Sequence, residues 1–254
     1  MKKNNQTIII AEAGVNHNGS LKLAKKLIDV ASYAKADYVK FQTFKSELIF
    51  SKNSPKAQYA KLNTNKNESA LEMVKKLELS IEEHLFLKKY CKKKKIKYLT
   101  TFSDLESLKH YKKFNLDYIK IASGDINNLT LLEKISKTRR KVILSTGISN
   151  IKEIDTALKI LTKKINKKNI TVLHCNTNYP AKFDEINLNA IKFMKKKFNV
   201  DIGYSDHTSG IEVSLAATAL GASIIEKHFT LDKKLPGPDH KASLSPRELY
   251  NLVK

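Results

Sequence analysis

Apolar residues recur along this chain with two alternating periods. Short runs rich in Ile, Val, Leu and Tyr stand at 7–12 (TIIIAE), 37–42 (DYVKFQ), 96–101 (IKYLTT), 116–123 (LDYIKIAS), 141–146 (KVILST), 170–175 (ITVLHC), 200–205 (VDIGYS) and 222–228 (ASIIEKH). Between them lie segments such as SLKLAKKLIDVASYAK, TLLEKISKTR, IKEIDTALKILTKK and LNAIKFMKKKF, whose apolar residues return every three or four positions. That spacing gives a helix one buried stripe. Strands alternating with helices are parallel and joined by helical crossovers. Eight such repeats predict a closed (β/α)8 TIM barrel, and the lack of a GxGxxG segment after the first run weakens a doubly wound dinucleotide fold.

One domain, residues 1–254, accounts for the length. The pattern is interrupted once, by a polar insertion over roughly 43–79, long enough to be functional or mobile. Near the end, Ser245 and Pro246 stand where an N-cap and first helical residue belong, so the eighth helix begins there and the sequence stops about three turns into it.

Composition narrows the function classes. The longest apolar stretch, SLAATALGASII, is too short to span a bilayer, and the N-terminal apolar run soon meets Glu12, which disfavours a secretory signal; a cytoplasmic location is expected. Cys91 and Cys175 form no CxxC pair or disulfide framework. The net charge is +22, yet the arginines are only Arg139, Arg140 and Arg247, and the excess is lysine in runs such as KKYCKKKKIK that read as solvated helix ends. No specific nucleic-acid partner is expected from that arrangement.

Candidate chemistry sits at the carboxyl ends of the strands, where the active sites of such barrels lie. Glu12 ends the first run; Lys40 and Gln42, Thr101, then Lys120 and Ser123 end the next three. Ser145 and Thr146 follow, then the CNTNYP segment, Ser205 with Asp206 and His207, and Glu226 with His228. Lys40 and Lys120 have apolar neighbours on both sides, and a buried unpaired ammonium is costly, so an anionic ligand would account for them. With the hydroxyls of Thr101, Ser123, Ser145 and Ser205, they describe a pocket for a small phosphorylated carboxylate. His207 and His228, on adjacent βα units, can meet over one divalent metal ion, although either alone would be read as a loop or packing residue. A Schiff base at Lys120 is the rival use of that lysine. The two histidines argue against it, because a metal already polarises an aldehyde.

The segments IAEAGVNHNGS, VKFQTFK, IKIASGDINN, LSTGIS, LHCNTNYPA, GYSDHTSG and IEKHFTLDKKLPGPDHKASL, in this order from about residue 8 to the end, resemble the sialic acid synthase family. The resemblance implies a metal-dependent transferase that condenses phosphoenolpyruvate with N-acetylmannosamine and water, giving N-acetylneuraminate and phosphate. It implies His207 and His228 as metal ligands, with manganese(II) first and magnesium or cobalt as substitutes. Lys40, Thr101, Lys120, Ser123, Ser145, Thr177 and Ser205 correspond to phosphoenolpyruvate contacts, and Gln42, Tyr179 and Asp239 to sugar contacts. Glu12, Lys40, Lys120 and Asp125 fall at catalytic positions, Asp125 where relatives often carry Glu.

The chain departs from the family pattern at three places. Thr101-Phe102-Ser103 replaces the usual Thr-Pro-Phe, and Thr177 stands where some relatives have Asn. The antifreeze-like C-terminal domain, which in relatives reaches across a dimer and supplies an arginine to the sugar, is absent from this sequence, so either it is a fragment or the barrel acts alone; a homodimer stays open. The acceptor could be N-acetylmannosamine, its 6-phosphate, or a diamino-hexose leading to legionaminic or pseudaminic acid, and GPDHKAS leans toward the ordinary sialic acid branch. Another phosphoenolpyruvate-dependent keto-sugar acid synthase and a noncatalytic barrel serving as an assembly partner are the remaining readings.

Overall fold

A computed structural model describes residues 6–64 and 67–254. The strands are β1 (Ile8–Gly14), β2 (Tyr38–Thr43), β3 (Lys97–Phe102), β4 (Tyr118–Ile121), β5 (Lys141–Ser145), β6 (Ile170–Cys175), β7 (Asp201–Asp206) and β8 (Ile224–His228). Each pairs in parallel with the next, and β8 returns to β1, so the sheet closes into the expected barrel. The predicted runs fall on these strands with small shifts. The largest are in β1, which continues to Gly14, and β4, which is confined to four residues because Ser123–Asp125 turns into a 3-10 helix.

Alternation along each strand explains why the runs looked continuously apolar. Val39 and Phe41 of β2 are fully buried against the helix layer, where Phe41 stacks on Tyr98 of β3 at 5.6 Å between ring centroids. Lys40 and Gln42, between them, face the barrel axis. Both faces of a parallel strand are covered, so outward positions are apolar and inward positions at the carboxyl end are free to carry chemistry.

Several of the crossover helices begin where side-chain caps end the loops, although Asn189–Phe198 and Glu212–Ala219 have none. Ser20 caps Leu21–Tyr33, while Ser80, Asn150 and Ser245 form reciprocal capping boxes with Glu83, Glu153 and Glu248. Pro246 occupies the first turn of Pro246–Val253, and Tyr250 of this helix meets Tyr33 of the first at 5.9 Å between ring centroids. The helix layer therefore closes at the same seam as the sheet.

The insertion after β2 is more ordered than a polar loop. It holds the helices Ser46–Ile49, Gln58–Asn63 and Ala70–Lys75, and packs its Phe44, Val74 and Leu77 against Val15 of the loop after β1 in a small apolar cluster. Sparse apolar residues at short helical spacing hid this structure from the periodicity. Among the described residues no helix is long and apolar enough to cross a membrane.

Candidate active site

The carboxyl ends of the strands surround a cavity of about 240 Å³. Every residue singled out as catalytic or ligand-binding lines it except Asp125 and Asp239. Asp125 sits on the 3-10 turn after β4, where burial pushes its carboxyl up to about 6 against the pull of Lys120. Asp239 is buried at the head of the His240–Ala242 turn, and burial raises it to about 6 as well. Among the rim residues of the sequence, Thr146 and Asp206 turn away from the cavity: the Thr146 hydroxyl donates to the Leu173 carbonyl, and Asp206 pairs with Lys227 in the helix layer.

One wall is cationic. Lys40 Nζ lies 2.9 Å from Glu12 Oε1 and 3.6 Å from Glu226 Oε2. Lys120 Nζ donates to Ser145 Oγ at 2.7 Å and lies 3.5 Å from Glu226 Oε1, which also accepts from Ser205 Oγ at 3.0 Å. Glu226 is thus the hub joining both lysines, although sequence reading placed it at the rim without a role. The signal was present: it stands two residues before His228, on the same face of β8.

The two carboxyls titrate in opposite directions. Burial would raise Glu226, but Lys120, Lys40 and the Ser205 hydrogen bond outweigh it and hold the group down to about 2. At Glu12 burial dominates the opposing pull of Lys40, and the Glu226 charge adds to it, raising the group to about 7. Burial pulls both lysines down; at Lys40 the two glutamates more than reverse it, whereas Lys120 stays below the ordinary lysine value. The same arrangement leaves Glu12 Oε2 and Glu226 Oε2 buried without hydrogen-bond partners.

The opposite wall is aromatic and uncharged. Burial lowers His207 to about 4 and His228 well below its usual range, so both imidazoles are neutral near pH 7. His207 Nδ1 faces the Asn176 carbonyl, which can only accept, so the proton is on Nδ1 and the Nε2 lone pair points to Tyr179 OH at 3.1 Å and Ser205 Oγ at 3.4 Å. The two imidazole centroids are 5.8 Å apart, and His228 Nδ1 has no hydrogen-bond partner. Gly14, at φ +52°, passes beside this ring: a Cβ there would come within 3.2 Å of His228 Cε1 and 3.3 Å of Glu12 Oε1. Among the described residues, no three His, Cys, Asp or Glu side chains form a closed metal cluster. A cation here would have two imidazoles and open positions.

The loops after β4, β5 and β6 meet at Ser123, Gly147 and Thr177, where sequence reading placed an anion-binding hydroxyl and a close-approaching glycine but gave Cys175 no part. Ser123 Oγ accepts from the Gly147 amide at 2.9 Å and contacts Cys175 Sγ at 3.3 Å. A Cβ on Gly147 would fall 2.6 Å from Thr177 Cγ2 and 3.0 Å from Ser123 Oγ, so this glycine lets the three loops close together.

Comparison with known proteins places this geometry. The chain is 54% identical over 253 residues to N,N'-diacetyllegionaminic acid synthase of Campylobacter jejuni, covering 99% of this chain and 75% of that protein. It is 41% identical to the protein of the same name from Legionella pneumophila, covering 97% of this chain and 70% of that one. The crystal structure of N-acetylneuraminic acid synthetase from Leptospira borgpetersenii in complex with citrate superposes with a TM-score of 0.86 at 42% identity, covering 98% of this chain and 82% of that one. The model of the NeuB family matches residues 27–254, and the chain belongs to that family.

Proposed function

We propose that this protein is a sialic-acid-type synthase that joins phosphoenolpyruvate to the open-chain aldehyde of an acylated amino-hexose, with water, to give a nonulosonic acid and phosphate. The observation that carries the reading is the division of the cavity: two buried lysines and several hydroxyls on one wall, two neutral imidazoles on the other. The first suits a phosphorylated carboxylate and the second an aldehyde with its activating cation. Relatives at 54% and 41% identity are legionaminic acid synthases, so the acceptor we favour is a diacetamido-hexose, where the GPDHKAS segment alone leans toward the ordinary sialic acid branch.

In this reading Lys40 and Lys120 hold the anionic groups of phosphoenolpyruvate, and the hydroxyls of Thr101, Ser123, Ser145 and Ser205 orient them. Enol carbon three forms the new bond to the aldehyde carbon, and carbon two gains oxocarbenium character. Water adds there, and the tetrahedral centre expels phosphate as the carbonyl forms. In this reading Glu12 takes the proton of that water, a role supported by its Oε2 lacking a hydrogen-bond partner and by a carboxyl raised to about 7. Gln42 and Tyr179 line the acceptor side.

The donor set fits a divalent ion, manganese(II) in first place, held by His207 and His228. Neutral imidazoles offer lone pairs, and both His228 Nδ1 and Glu12 Oε2 are buried without partners. Bound there, such an ion would polarise the aldehyde and stabilise the alkoxide that develops.

The test is to incubate the protein with phosphoenolpyruvate, manganese(II) and each candidate hexose in turn, following phosphate release and product mass. Release with the diacetamido-hexose and a product heavier by the elements of one pyruvic acid are expected. No release with any acceptor would remove the enzyme reading and leave the assembly-partner alternative.

A further inference from the structure

Directly behind the two histidines, on the outer face of the barrel, lies a charged network that the proposed chemistry does not use. The register of β7 and β8 pairs Ser205 with Glu226 and Asp206 with Lys227. The next residues are His207 and His228. Alternation turns Ser205 and Glu226 inward, Asp206 and Lys227 outward, and the histidines inward again. Lys227 Nζ meets Asp206 Oδ2 at 2.9 Å and donates to the Thr208 carbonyl at 2.6 Å. Asp206 Oδ1 accepts from the Thr208 amide at 2.8 Å and hydroxyl at 2.7 Å, and Oδ2 accepts from Ser214 Oγ at 2.6 Å. Exposure is 1% at Asp206 and Lys227 and 0% at Thr208 and Ser214.

Such a pair is a poor way to gain stability, because desolvating two charges offsets most of their attraction, and apolar replacements of similar volume are often neutral or better. What it gives here is geometry. The Asp206 carboxylate clasps the backbone on the far side of His207, and Lys227 ties that loop to the residue preceding His228. The His207 carbonyl accepts from the Ala181 amide at 2.8 Å and the His228 carbonyl from the Leu244 amide at 2.8 Å, but the ladder between β7 and β8 stops at Asp206 and Lys227, so no backbone bond joins the two histidines to each other. We propose that Asp206 and Lys227 are positioning residues, a staple across the ends of β7 and β8 that sets the spacing and tilt of His207 relative to His228. The proposal rests on the reading of those histidines as the metal pair.

The test uses the full chain and the double substitution Asp206→Asn/Lys227→Met, which removes both charges together, leaves no orphaned ion and keeps an acceptor for the Thr208 amide. Metal-stripped protein is titrated with cobalt(II), followed by visible absorption, beside steady-state kinetics and thermal melting. The expected result is a melting temperature at or above the parent's, cobalt(II) affinity weaker by roughly 10- to 100-fold, the range for supporting groups around a metal site, and a lower kcat at unchanged KM for phosphoenolpyruvate. A folded double variant with the parent's cobalt(II) affinity and kcat overturns the staple. So does a single Asp206→Asn that melts earlier yet keeps both values per folded molecule, the outcome of a purely structural role. Parent protein whose cobalt(II) spectrum is absent, or survives His207→Ala, fails the metal reading instead; the staple then stands or falls on kcat of the double variant alone.

Discussion

Lys120→Met separates the two uses open to that lysine, because methionine keeps the apolar stem and deletes the ammonium. Two unit charges at the 3.5 Å between Lys120 Nζ and Glu226 Oε1 attract by roughly 5 kcal/mol at an effective dielectric constant of about 20. Little of this is lost from the fold, since Glu226 keeps Lys40 at 3.6 Å and the Ser205 hydroxyl at 3.0 Å and so remains an ionised, partnered group. The loss falls on the ligand. A hydrogen bond to a charged group contributes about 1.5–3 kcal/mol, so phosphoenolpyruvate should bind roughly 10- to 150-fold more weakly. Calorimetric titration with phosphoenolpyruvate, and KM from phosphate release, measure this directly. A folded Lys120→Met that binds phosphoenolpyruvate as tightly as the parent would falsify the anion wall. If borohydride with the acceptor aldehyde traps an adduct on the parent but not on this variant, the Schiff-base use of Lys120 replaces it.

Three further outcomes follow from the site. His207→Ala and His228→Ala should each abolish metal-dependent condensation while leaving phosphoenolpyruvate binding nearly intact; full activity in metal-depleted His207→Ala contradicts the ligand assignment. Gly14→Ala should cost about 1–2 kcal/mol for a left-handed residue that gains a Cβ, and should weaken metal binding because that Cβ crowds His228; unchanged cobalt(II) affinity in the folded variant refutes the second part. Asp239 has a folded-state value raised to about 6 from 3.8, so its contribution to stability is fully present below the lower value and is lost as pH rises through the upper one. That difference amounts to about 3 kcal/mol. Asp239→Asn should therefore flatten the fall in melting temperature between about pH 4 and pH 6, and an identical fall in parent and variant shows that Asp239 does not supply it.

The fold was legible because the strands follow one rule over most of their length, with outward positions largely apolar under a helix and polar residues gathered at the carboxyl end; Asp206 and Lys227, outward yet charged, depart from it. Lys40 and Lys120 stood out by breaking an apolar run, and a lysine inside a barrel needs an anion or a carboxylate nearby. What the sequence could not show is which carboxylate. Glu226 joins Lys120 across strands β8 and β4, a pairing made by closure of the ring rather than by any spacing along the chain. The same holds for the opposite titration of Glu12 and Glu226, which depends on how many cations reach each one. The insertion was read as a loop because three short helices with few apolar residues leave almost no period to detect.

The inward and outward faces of β7 and β8 carry one further consequence for how such a site is built. A cavity of about 240 Å³ lined by two lysines, two glutamates and two neutral imidazoles holds groups that repel, desolvate or protonate one another. Glu12 shows the strain most clearly, a carboxyl kept near neutrality with one oxygen unpartnered beside an ammonium at 2.9 Å. Such a constellation survives only if the scaffold behind it is better satisfied than the site itself. Behind β7 and β8 the charged groups meet that condition: the charged atoms of Asp206 and Lys227 all have partners, and of the described buried groups there only neutral ones, such as the Tyr204 hydroxyl, lack a hydrogen bond, whereas Glu12 Oε2 and His228 Nδ1 lack one on the wall of the cavity. On the proposed function, Glu12 Oε2 and His228 Nδ1 are the atoms that substrate and metal would complete on binding, and the energy of that completion would go into orienting the reacting atoms.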